Sequence, residues 1–421
     1  MTGGGERQQA VITGLGAVTP VGNDRETTWR NLLAGQSGIA RITAFESNGL
    51  PTRIAGEVKG FDPASLLTTK RLRRSARFTH FAVAAAREAV ADAGLNLESE
   101  DLTRIGVVIN CAVAGFDTVE ESTRRLLDPD RGQIHPHFVS SSLTNMPACE
   151  VSIDLGLHGP VTASALACAS GLYAILEAKR LILSDEADVV VCGGTDAGIT
   201  PVMFAGLNAM GVLSKNNDNP AAASRPFDSR RDGFVFSEGA VVAVLESAVH
   251  ARARGKAPYA AVAGGALTAD AFHVSAPNPD GEMTRASISV ALQRSGVRPE
   301  EVDYICAHGT STKANDRVES AAIRSVFGKA ADEVAVSSPK SMVGHMIGAA
   351  GALATMVCAL SIRDNIVPPT INLDFPDPEC DLDYVPHKAR PLEVRTSVAN
   401  AFGFGGQNCV VVFSDPEAAI A

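Results

Sequence analysis

The sequence predicts an α/β protein built by duplication and layered, with a pair of buried helices held between two mixed sheets. Three observations carry this. Short β-branched runs alternate with Ala-rich stretches along all 421 residues. Residues 85–109 read as Ala-rich helix, AG break, acidic turn and strand, and residues 287–307 (SISVALQRSGVRPEEVDYICA) repeat that order. A second echo pairs the largely apolar helix in 164–192 (SALACASGLYAILEAKRLI) with MIGAAGALATMVCALSI at 346–362. A helix without a polar face has to be buried between layers.

The elements follow in order. The first strand spans 9–14 (QAVITG), and the Ala-rich helix from 85 ends at the AG break before the strand at 105–109. The apolar helix of 164–192 leads through an acidic turn to a strand at 188–192, and another apolar run, 240–245, closes the first half. The polar stretch HARARGKAP (250–258) marks the join, giving one half over 1–255 and another over 256–421. The second half opens with a strand at 260–264, then the helix ending at the SG break of 295–296 and the strand at 303–307. Strand 334–338, the helix at 346–362, and strands 396–400 and 409–413 complete it.

The net charge of −10 argues against a general nucleic-acid binder, although TTKRLRRSARF (68–78) forms a local cationic cluster. Eight cysteines (111, 149, 168, 192, 306, 358, 380, 409) lack CxxC spacing, which speaks against a zinc site and a disulfide scaffold. Most read as small core residues in a reducing, cytoplasmic setting. The N-terminal MTGGGERQQ has no apolar region of a signal peptide, and the apolar stretch 349–360 is too short and Gly-rich to span a bilayer.

Chemistry concentrates at a few places. Cys168, in ALACASGL (165–172), falls at the first turn of a buried helix, where free N–H groups lower a thiol's pKa. A cysteine in an apolar helix is by itself ordinary, but two histidines accompany it. His308 ends a strand and enters a turn (CAHGTST), and His345 precedes the twin buried helix (KSMVGHMIGAAGA); functional groups collect at such strand ends and helix starts. Lys340 sits in an apolar context and needs a partner, for which Glu319 or Asp316 is available. The glycines of NAFGFGG (400–406) allow close backbone approach to a ligand. The early GLGAVT fails the dinucleotide pattern because Thr19 stands where its third glycine belongs, and no GxSxG elbow is present.

Six ordered motifs together resemble the β-ketoacyl-(acyl-carrier-protein) synthases of the thiolase superfamily, most closely the type II elongating enzymes. They are VITGLGAVTPVGND (11–24), ALACASGL, NDNPAAASRPFDSRRDGFVFSEGA (217–240), AHGTST (307–312), KSMVGHMIGAAG (340–351) and NAFGFGGQN (400–408). The resemblance implies a thiolase-like duplicated fold, layered αβαβα. It also implies that Cys168 takes the acyl chain, that His308 and His345 stabilise the enolate left when malonyl-carrier protein loses CO2, and that Lys340 orients the histidines. Backbone N–H groups of Cys168 and Phe404 would form an oxyanion hole, with Phe404 as a gate. Thr310, Thr312 and Ser275 match positions that hold the pantetheine arm, and Val113, Phe204 and Leu207 match the acyl pocket, where Val113 and Leu207 are smaller than some relatives carry. Lys70, Arg73 and Arg74 match a dock for acidic carrier protein.

No cofactor or metal is implied beyond substrates carried on the phosphopantetheine of acyl-carrier protein. The implied partners are that carrier and a second subunit, either another copy or a ketosynthase-like chain-length factor, with no nucleic acid or membrane. Lys313 after HGTST, Pro339 before Lys340 and the FVFSEGA run depart from the common pattern. The alternative to fatty-acid elongation is the catalytic ketosynthase of a type II polyketide system; a non-catalytic partner subunit normally lacks the nucleophile. A degradative thiolase would need a second cysteine that the C-terminal GFGG stretch does not supply.

Overall fold

The computed structural model describes residues 9–416; residues 1–8, which hold most of the stretch expected to carry no signal peptide, and 417–421 lie outside the described residues. Strands β1 (Ala10–Val18), β2 (Ile105–Asn110), β3 (Val161–Thr162), β4 (Val189–Asp196) and β5 (Gly239–Ser247) belong to the first half of the chain. Strands β6 (Ala260–Ala269), β7 (Tyr304–Cys306), β8 (Ala335–Ser337), β9 (Thr396–Gly403) and β10 (Gln407–Ser414) belong to the second.

Their spatial order is β8-β7-β9-β10-β6-β1-β5-β4-β2-β3. Read outward from the middle, the halves share one plan. In each, the first strand pairs antiparallel with the last, the last pairs antiparallel with the next, and the remaining contacts are parallel. The two expected sheets are joined edge to edge, with residues 10–12 of β1 antiparallel to 260–262 of β6. The duplication read from the sequence is thus repeated strand for strand. Within this sheet the one strand missing from the sequence reading, β3, is only two residues long, too short for a β-branched run to register.

Six helices position the site: α1 (Arg77–Ala93), α2 (Ser170–Leu183), α3 (Pro201–Met210), α4 (Glu282–Ser295), α5 (Lys313–Phe327) and α6 (Ala350–Asp364). The AG and SG breaks are left-handed caps. Gly94 (φ 63°) and Gly296 (φ 65°) end α1 and α4, and in both the residue beyond the glycine reaches back to an earlier carbonyl. Helix α1 covers the outer face of the first half, while α4 and α5 cover that of the second. Helices α2 and α6 lie between the halves in the central core.

Every residue of α6 from 350 to 362 is buried, and each large side chain among them contributes roughly 1.5–3 kcal/mol relative to exposure. The stretch Ile347–Asp364 is long and apolar enough to cross a membrane by composition, but it is 89% buried in this fold. Helix α2 is less enclosed than its sequence suggested. Glu177 and Arg180 pair with each other at its outer side, and Lys179 donates to the Val262 and Ala263 carbonyls.

The two inner helices meet where each begins. A Cβ on Gly171 would stand 2.5 Å from the Gly348 carbonyl oxygen, and one on Gly351 would stand 2.5 Å from the Leu172 nitrogen. Overpacking such a contact destabilises by about 1–3 kcal/mol. Gly351→Val is therefore expected to lower the unfolding free energy by about that amount in urea titration; a variant as stable as the parent would contradict this contact.

Candidate functional site

The same place brings the reactive side chains together. Short 3₁₀ turns, Ala167–Ala169 and Ile347–Ala349, precede α2 and α6 at equivalent points of the two halves. In both, the first residue is left-handed although it is not glycine, with Ala167 at φ 45° and Ile347 at φ 48°. Such backbone conformations are costly and cluster at functional sites. The first turn carries Cys168, and the second begins two residues after His345. The sulfur lies 3.0 Å from His345 Nε2, and the His308 ring stands at 83° to that of His345, with centroids 5.4 Å apart. Phe234 and Phe402 meet the two imidazoles edge-on.

The His345 tautomer follows from its other nitrogen. Nδ1 accepts the Ile347 backbone N–H at 3.2 Å, so the ring proton sits on Nε2 and faces the sulfur. Donor atoms of Cys168, His308 and His345 all lie within 4.8 Å of one another, as in a metal site. With its proton on Nε2, however, His345 offers the centre an N–H rather than the lone pair a metal needs. His308 Nδ1 makes no hydrogen bond of ordinary geometry.

Burial dominates the electrostatics. It holds both histidines well below their ordinary range, helped by the charge of Lys340, so both are neutral near pH 7. Burial also pushes the Cys168 thiol up to about 11, against the opposing pull of the Phe404 N–H, Lys340 and the residue's own N–H. The thiolate-favouring helix start expected from sequence is present, but at this buried position it loses to desolvation.

Lys340, also buried, has its pKa lowered by desolvation. Glu319 and Asp316 act on it through space, but among the described residues neither forms a direct ion pair with it. Their oxygens are otherwise engaged. Glu319 accepts from the backbone N–H groups of His308 (2.7 Å) and Gly309 (2.8 Å) and from Asn400 (3.0 Å). Asp316 accepts from the Phe227 N–H and faces Arg231.

A cavity of about 670 Å³ opens onto Cys168, His308 and His345. Val113, Leu207, Ser275, Thr310, Thr312 and Phe404 line it. The hydroxyls of Thr310 and Thr312 are 2.9 Å apart, and Phe404 is 37% exposed. Phe204 is the exception. It is fully buried and packs edge-on against Phe45 and Phe236, behind the wall, so Met203 one residue earlier on α3 takes the lining position. In the cationic cluster, Lys70 and Arg73 are exposed, whereas Arg74 is anchored to Glu150 at 3.0 Å. Arg71, which sequence did not single out, pairs with Glu150 and Asp154.

Sequence reasoning also missed Asp196. Its carboxyl is fully buried, takes backbone N–H groups from residues 112–114 and Gly348, and is pushed by burial up to about 6. The available signal was an acid ending the apolar run VVVCGGTD.

The beta-ketoacyl synthase family matches the chain in two pieces, its N-terminal domain over residues 8–251 and its C-terminal domain over 259–374. The chain is 44% identical over 409 residues to the 3-oxoacyl-[acyl-carrier-protein] synthase 2 of Coxiella burnetii, covering 97% of this chain and 99% of that protein. Among solved structures it is similar to the ishigamide ketosynthase/chain length factor, with TM-score 0.90 and 35% identity over 96% of this chain and 98% of the other. It is also similar to a type II polyketide ketosynthase in complex with its acyl-carrier protein and bound to the hexaketide, with TM-score 0.88, 34% identity and the same coverage.

The buried thiol makes a direct prediction. Iodoacetamide labelling of Cys168, followed by peptide mass spectrometry, is expected to keep rising beyond about pH 9, because the thiol is pushed up to about 11. Lys340→Met is expected to slow labelling further at a given pH, since it removes a charge that favours the thiolate. A plateau below about pH 8 would contradict the dominance of burial.

Proposed function

The chain belongs to the β-ketoacyl synthase family, and we propose that it lengthens carrier-bound acyl chains by two carbons through decarboxylative condensation, with Cys168 as nucleophile. The observation that carries the reading is the Cys168 sulfur 3.0 Å from an imidazole N–H in a largely apolar-walled cavity. In the first step the thiol attacks the acyl thioester, the acyl–cysteine bond forms, and the thiol proton leaves with the carrier's pantetheine thiol. The carbonyl oxygen, negative at that moment, meets the N–H groups of Cys168 and Phe404, which already act on the sulfur.

In the second step the malonyl carrier loses CO2. The enolate oxygen that develops needs donors that are neutral and already in place. His345 supplies Nε2–H and His308 the second donor, and burial keeps both neutral. The enolate carbon attacks the acyl–cysteine, the carbon–sulfur bond breaks, and the expelled thiolate takes up a proton from water. Lys340 sets the field of the histidine pair, and Phe404, beside Gly405 at φ 85°, acts as the gate. Thr310, Thr312 and Ser275 hold the pantetheine arm, and Val113 and Leu207 bound the acyl chain. No cofactor is needed in this sequence of steps. The reading places the enzyme in the cytoplasm.

Carrier protein docks by charge, chiefly on Lys70 and Arg73, with Arg74 already tied to Glu150. A second subunit covers the apolar side chains Leu126, Leu127, Val139 and Ile153, which are 60–79% exposed. They sit on helices that pack in series up to the open edge at β3. The covering subunit is a second copy or a chain-length-factor-like chain. The second pathway, polyketide assembly by a ketosynthase paired with such a factor, is supported by the solved ketosynthase/chain length factor structure that this chain resembles.

Intact-protein mass spectrometry after mixing enzyme, acyl-carrier protein and malonyl-carrier protein is expected to show a β-ketoacyl carrier two carbons longer. Cys168→Ala should abolish it, whereas His345→Ala should still acylate but condense ~10²–10³ more slowly. Absence of any acylation at Cys168 would refute the proposal. Neutralising Lys70 and Arg73 together should raise KM for carrier-bound substrate, most at low salt; an unchanged KM would remove the dock.

A further inference from the structure

Asp196 is a buried carboxylate that no step above uses. It ends β4, is fully buried, and among the described residues pairs with no cation. Its oxygens are taken by backbone N–H groups. Oδ1 accepts from Val113 at 2.8 Å and Ala114 at 3.3 Å, and Oδ2 accepts from Ala112 at 3.0 Å and Gly348 at 2.7 Å. Ala112, Val113 and Ala114 form a concave nest, with Ala114 left-handed at φ 58°.

The fourth donor comes from the other half of the chain. Gly348 fits there because it has no Cβ, which would stand 2.5 Å from Oδ2 and 2.9 Å from the Ala112 nitrogen. Directly before it is Ile347, a β-branched residue held at φ 48°, a conformation that persists only where its surroundings enforce it. The Ile347 N–H is the group that fixes the His345 tautomer. Val113 and Ile347 both line the cavity.

We propose that Asp196 is a positioning residue for the condensation step: its carboxylate clamps the turn at 347–348, and with it the N–H-donating form of His345, to the loop that carries Val113 in the acyl pocket. The inference rests on the reading of His345 as an enolate donor. It makes that donor and the acyl-pocket wall two ends of one rigid connection. It also separates the two half-reactions, because acylation of Cys168 needs the sulfur and the oxyanion N–H groups, whereas condensation needs His345.

Asp196→Asn presents an NH2 to backbone N–H groups and cannot hold both sides. Acylation of Cys168, followed by intact mass, is expected to stay within about threefold of the parent. Condensation in the same preparation is expected to fall about tenfold to a hundredfold, short of the ~10²–10³ for losing an oxyanion donor outright. Adding Ile347→Gly should restore part of the loss, since glycine takes a positive φ without the clamp. Parallel loss of both steps, unchanged condensation, or no recovery in the double variant would overturn the proposal. If Asp196→Asn does not fold, Asp196→Glu, which keeps the charge but lengthens the arm that joins the two sides, decides by the same split. His345→Ala, run alongside, separates the two ideas: if it condenses normally, the donor reading fails whatever Asp196 does.

Discussion

Where the inner helices α2 and α6 begin, the backbones of the two halves approach too closely to admit a Cβ on Gly171, Gly348 or Gly351. This contact decides where everything else can go. Each helix is preceded by a 3₁₀ turn whose first residue is forced left-handed. Because the halves repeat the same topology, the two turns arrive face to face. One delivers Cys168 and the other His345, so a sulfur and an imidazole 177 residues apart stand 3.0 Å from each other. Duplication alone would supply two similar helices; the glycine contact makes one site of them.

The price of that placement is desolvation. A thiol, two imidazoles and an ammonium share one buried region, and burial drives each toward its neutral form. For the histidines this is the useful direction, because a neutral N–H can stabilise an enolate without first giving up its proton. For the thiol it is an obstacle, offset in part by Lys340 and two backbone N–H groups. The carboxylates nearby shape backbone rather than pair with Lys340. Glu319 fixes the strand end at His308 and Gly309, and Asp196 joins the 112–114 loop to Gly348.

Nine of the ten strands of the large sheet, the duplicated order, and the cysteine and two histidines that the fold brings together were legible in the sequence. Those features are written in local pattern: β-branched runs, glycine breaks after helices, and histidines at strand ends and helix starts. What was not legible depends on distant contacts. Phe204 lies behind the cavity wall, packed edge-on against Phe45 and Phe236. Arg74 is partly spent on Glu150, which is remote in sequence. The raised thiol, the missing ion pair of Lys340 and the left-handed Ile347 all follow from burial and from backbone angles that no spacing rule encodes. Asp196 announced itself only as an acid in an apolar strand, which says that its oxygens are met by donors but not by which.

The central claim, that the acyl group passes through Cys168 on its way to the product, is tested most directly by a single turnover. Enzyme carrying an acyl group on Cys168 is purified free of acyl carrier, mixed with malonyl-carrier protein, and followed by mass. The acyl mass should leave the enzyme at the rate at which the two-carbon-longer β-ketoacyl carrier appears. If product forms while Cys168 stays acylated, or the acyl group leaves as the free acid, the cysteine is not on the path and the mechanism is wrong.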